Sequence, residues 1–76
     1  MNKTRRINLL QIAVELEELK ASLKELKEEE EEYQANIPEN LQNSERYEKA
    51  ENAICNLDDA ISDLEEVIIK VEAAAE

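Results

Sequence analysis

The 76-residue chain contains no glycine, histidine, phenylalanine or tryptophan, one proline (Pro38), one cysteine (Cys55) and two aromatic residues, Tyr33 and Tyr47. Each absence closes a class of function. Without glycine there is no Gly-rich loop to wrap a phosphate group. Without histidine, and with a single cysteine, a zinc site has no ligand set. Carboxylate metal centres of the bundle type need a Glu-x-x-His pair, which is missing too. Asp58, Asp59, Asp63 and Glu66 are spread by helical geometry over different faces, and no loop has the calcium-binding pattern. Cys55 has no second thiol to pair with and no histidine to activate it. We therefore expect no enzyme, no cofactor, no metal ion and no small-molecule substrate.

Long apolar runs are also missing. No segment approaches the ~20 apolar residues of a membrane span. The start is basic (Lys3, Arg5, Arg6), but Asn8 and Gln11 interrupt the apolar stretch that follows and Glu15, Glu17 and Glu18 end it, so a secretory signal is not expected. A formal charge of −11 would be repelled by an anionic bilayer and by a phosphate backbone, so neither membrane nor direct nucleic-acid binding is expected. The expected compartment is the cytoplasm.

What remains is helix-forming sequence, 42% hydrophobic and 38% charged, with the composition of long helices and coiled coils. Two apolar stripes at alternating three- and four-residue spacing occupy nearly the whole chain. The first runs Leu9, Ile12, Leu16, Leu19, Leu23, Leu26, Glu30, Tyr33, Ile37. The second runs Tyr47, Ala50, Ile54, Leu57, Ile61, Leu64, Ile68, Val71, Ala75. Such stripes are heptad seams, each made to face another helix. Folding the chain about residue 40 aligns them, with Tyr33 against Tyr47, Leu26 against Ile54, Leu19 against Ile61 and Ile12 against Ile68. The expected fold is all-α: one domain, 1–76, forming an antiparallel two-helix coiled-coil hairpin. Thr4 is the expected N-cap of a helix over about 4–35, and Asn36 its left-handed C-cap. Pro38 opens a turn over about 36–43, and Asn43 or Ser44 caps a second helix over about 44–75.

Two helices alone bury little, and scaffolds of this size usually need a staple or a partner. Further apolar residues lie off the seams. Ile7, Leu10 and Val14 on the first helix, and Val67 and Ile69 on the second, cluster at the end away from the turn. We expect them to form an interface, most simply that of a homodimer closing a four-helix bundle.

Charge is divided along the chain. Residues 1–27 hold six basic and four acidic groups, residues 28–52 two and nine, and residues 53–76 one and seven. The basic start would lie beside Glu72, Glu76 and the negative end of the second helix dipole, which favours antiparallel pairing. Around the turn, Glu28, Glu29, Glu31, Glu32, Glu45, Glu48 and Glu51 form an uncompensated acidic region. Carboxylates four apart on a helix stand ~6 Å from one another, comparable to phosphates along a strand. The acidic region thus offers an alternative function, imitation of nucleic acid to inhibit a basic DNA- or RNA-binding protein.

The opening Met1-Asn2-Lys3-Thr4-Arg5-Arg6, the Glu-rich centre and the turn Asn36-Ile37-Pro38-Glu39-Asn40-Leu41-Gln42, followed by Ser44-Glu45-Arg46-Tyr47, resemble small phage- and prophage-borne coiled-coil proteins of low-GC Gram-positive bacteria. The resemblance implies phage–host interaction, a setting in which small acidic proteins inhibit host defence or DNA-binding machinery, and supplies no site residues. The leading expectation is a non-enzymatic protein–protein interaction module that binds a host protein by helix packing.

Overall fold

A computed structural model describes residues 1–76 as α1 (Lys3–Ala35), a single 3-10 turn (Glu39–Leu41) and α2 (Glu45–Ala74). There are no strands, and the two long helices pack against each other as a hairpin rod of 60 × 14 × 12 Å. The expected all-α hairpin is the fold. No helix is long and apolar enough to cross a membrane.

The N-cap of helix α1 lies two residues earlier than expected. The Asn2 carboxamide, not Thr4, accepts the Arg5 N–H at 2.8 Å and satisfies one of the free donors of the first turn. At the other end Asn36 stays right-handed (φ −88°, ψ −2°), and no residue in the chain has positive φ. The expected left-handed cap is replaced by tightened hydrogen bonds, from Asn36 N–H to Tyr33 and Ile37 N–H to Gln34. Ile37 then turns inward and is 3% exposed, fastening the exit of α1. Pro38 holds the extended backbone that opens the 3-10 turn, whose Leu41 N–H bonds to the Pro38 carbonyl at 2.8 Å. Ser44 caps α2, its hydroxyl accepting the Tyr47 N–H at 3.3 Å. The connection is thus a hydrogen-bonded corner.

The α2 seam is the one its sequence announces. All nine positions from Tyr47 to Ala75 are buried or half-buried, with Ala50, Ile61 and Ile68 among the deepest. The α1 seam differs. Its first row, Leu9, Leu16, Leu23 and Glu30, ending at Ile37, faces α2 as expected. Its second row is not Ile12, Leu19, Leu26 and Tyr33, which are 46, 59, 55 and 42% exposed. In their place stand Ala13, Lys20, Lys27 and Gln34, each one residue further on and all buried or half-buried. The layers built on Ile12, Leu19, Leu26 and Tyr33 are therefore not core layers.

The reason lies in the geometry of adjacent rows. Rows i+3 and i+4 flank the shared Leu row on either side. A single partner helix covers one of them fully. Lysine serves there because its methylene stem lies over apolar surface while the ammonium reaches a carboxylate.

Candidate interaction surfaces

The rotation of α1 gives the rod two unlike flanks. On the first, Lys20 Nζ meets Glu65 at 3.4 Å and Lys27 Nζ meets Asp58 at 2.6 Å, and the Gln34 amide donates to Glu51. Each step of seven forward on α1 is matched by a step of seven back on α2, so one heptad register holds across three repeats. Lys20 also pairs with Glu17 at 3.2 Å, and Lys27 with Glu31 at 3.7 Å. The hydrogen bond to Glu17 is the main reason that the Lys20 ammonium holds its proton above the usual lysine range. The bond to Asp58 does the same for Lys27. Both stems are largely covered while their partners remain open to water.

The second flank is apolar. Near the turn the Arg46 guanidinium lies 5.8 Å from the centre of the Tyr33 ring, a cation–π contact. Stepping by seven from that pair places Leu26 beside Ala53, Leu19 beside Ala60 and Ile12 beside Val67. Large side chains of α1 thus run alongside mostly small ones of α2. A shallow depression of about 340 Å³, lined by Glu30, Tyr33, Arg46, Lys49 and Ala50, marks its turn end. This surface sets a row expected in the core, Ile12, Leu19, Leu26 and Tyr33, beside Ala53, Ala60 and Val67 of α2. Only the first flank was legible in the sequence: Glu51, Asp58 and Glu65 recur every seven residues on α2, matching the spacing of Lys20, Lys27 and Gln34 on α1.

The residues expected at the open end are all exposed: Ile7 52%, Leu10 48%, Val14 57%, Val67 44% and Ile69 66%. They do not share one surface. Leu10 and Val14 line a depression with Glu17 and Glu72, and Ile69 lines a neighbouring one with the same two glutamates. Ile7, one heptad before Val14, shares its row. Val67 belongs to the apolar flank, beside Ile12.

The acidic residues are likewise all exposed but unlike in surroundings. Glu31 pairs with Lys27, Glu45 with Lys49 at 3.4 Å, and Glu51 accepts from Gln34. Glu28, Glu29, Glu32 and Glu48 have no partner within the chain. Successive helical positions turn by ~100°, so Glu28 to Glu32 encircle the end of α1 instead of forming one face.

No protein-family model matches the chain, and no curated protein or solved structure is significantly similar to it.

Proposed function

We propose that the chain is a non-enzymatic protein-binding module that works by packing its apolar flank against another helical surface. The observation that carries this reading is the row Ile12, Leu19, Leu26 and Tyr33, apolar at every seventh position yet 42–59% exposed. A heptad row left open over four repeats is the half of a coiled-coil seam that lacks its other half. The resemblance to phage-borne coiled-coil proteins directs the search for targets to a bacterial host, where such a module would act as a phage-encoded regulator in the cytoplasm.

The test is affinity capture with the full chain at low and high salt, beside the double variant Leu19→Glu/Leu26→Glu. Apolar docking predicts complexes that persist at high ionic strength and disappear with the double variant. Complexes that instead dissolve as the Debye length falls to ~3 Å near 1 M salt, and that nucleic acid displaces, would overturn the reading. They would assign the role to the acidic turn end acting as an imitation of nucleic acid.

A further inference from the structure

On the seven-residue repeat the charged residues are unevenly distributed around the rod. The apolar flank and the two rows bordering it hold four basic residues, Arg5, Arg46, Lys49 and Lys70, against three acidic ones, Glu15, Glu29 and Asp63. The remaining sides share five basic and seventeen acidic residues. All three basic residues of α2 (Arg46, Lys49, Lys70) therefore lie on or beside the one apolar flank. In a chain of net charge −11, this side alone is close to neutral.

We propose that a second copy of this chain docks on that flank, giving a four-helix bundle in which the large row of each copy lies over the small row of the other. The inference rests on the helix-packing reading above and names its partner. Three observations select a second copy. The first is charge: a basic partner would be drawn to the strongly acidic sides, whereas an equally acidic molecule meets least repulsion at the neutral one. Glu15 and Glu29 border the flank on α1 and Lys49 and Lys70 border it on α2, so a copy laid α1 over α2 sets edges of opposite sign together. The second is shape. Ile12, Leu19 and Leu26 stand beside Val67, Ala60 and Ala53, and an exchanged copy supplies small residues to large and large to small. The third is size: six of 76 residues are buried and no large side chain is fully enclosed, too little apolar burial for a chain of this length on its own. The open-end cluster is less suited to the same partner, because Leu10, Val14 and Ile69 are bordered by Glu17, Glu65 and Glu72, with Lys20 as the one cation among them and already paired to Glu17 and Glu65, so a second copy would meet a net negative edge.

Sedimentation equilibrium of the full chain at tens of micromolar tests this, with helicity followed in parallel by circular dichroism. The unaltered chain is expected to be dimeric. Leu19→Glu/Leu26→Glu should weaken self-association on the order of a hundredfold. Ala60→Glu, on the other helix and at an exposed position, should act in the same direction with helicity retained, so loss of the dimer would not merely reflect unfolding. Leu10→Glu/Val14→Glu should leave the dimer intact. A monomeric chain, or a dimer broken by Leu10→Glu/Val14→Glu and not by the flank variants, would overturn the proposal. A monomer that still captures a foreign protein through Leu19 and Leu26 would overturn self-pairing and leave the helix-packing reading standing.

Discussion

Lys20 and Lys27 occupy positions that a hydrophobic pattern assigns to leucine. Each covers the seam with its stem and ends on a carboxylate of α2, Glu65 for Lys20 and Asp58 for Lys27. Both ammonium groups are held above 10.5, chiefly by hydrogen bonds to Glu17 and Asp58 respectively. A folded-state pKa above the unfolded value means that the stabilisation is fully present below the unfolded pKa and disappears as pH rises through the folded one. The contribution of these lysines should therefore be constant through neutral pH and fall only above about 10.5. Urea midpoints measured across the alkaline range should show that fall, and Lys20→Met/Lys27→Met should reduce it. A second local determinant is Ser44, whose hydroxyl caps α2 at Tyr47. Ser44→Ala should cost about 1 kcal/mol, read as a lower urea midpoint with an unchanged slope.

The two helices contribute unequally to the core. Helix α2 offers a continuous apolar seam, whereas α1 offers its Leu row, Ala13 and the stems of two lysines. Truncations at comparable heptad positions should therefore diverge. Ile68 is 2% exposed and Leu19 59% exposed. At chain concentrations too low for self-association, Ile68→Ala should cost ~2–5 kcal/mol, and Leu19→Ala less than about 1 kcal/mol because little transfer from water is lost. Equal losses in thermal or urea melts would show that Leu19 faces α2 after all, with α1 turned back to the seam its apolar pattern describes.

A rod of net charge −11 with two acidic thirds repels itself along its length and repels its neighbours. The ion pairs of Lys20 with Glu65 and Lys27 with Asp58 work in the opposite sense, but their acidic partners are open to water, where such pairs add little. Repulsion should dominate. Raising salt from low ionic strength through 0.1 M, where the Debye length is ~10 Å, should raise the melting temperature and strengthen self-association on the neutral flank together. A melting temperature that fell with added salt would mean that the Lys20 and Lys27 pairs outweigh the repulsion.

Much of this architecture follows from local chemistry. Helix extent follows from an uninterrupted run of helix formers without glycine, the corner from Pro38 and Ser44, and the α2 seam from a single unambiguous apolar stripe. These features depend on neighbours a few residues apart, so one strand of text is enough to read them. The orientation of α1 is a different matter. Its Leu9, Leu16 and Leu23 row has a usable row on either side, and a rotation of roughly 50° about the helix axis exchanges one for the other while keeping that row inside. Apolar pattern favours Ile12, Leu19, Leu26 and Tyr33; opposite charge across the seam favours Lys20, Lys27 and Gln34. Which row wins depends on where Glu51, Asp58 and Glu65 stand once α2 has folded back: Glu65 is 45 residues from Lys20, Asp58 31 from Lys27 and Glu51 17 from Gln34. Long-range pairing settled that choice, and with it which leucines were left facing outward as a surface for another helix.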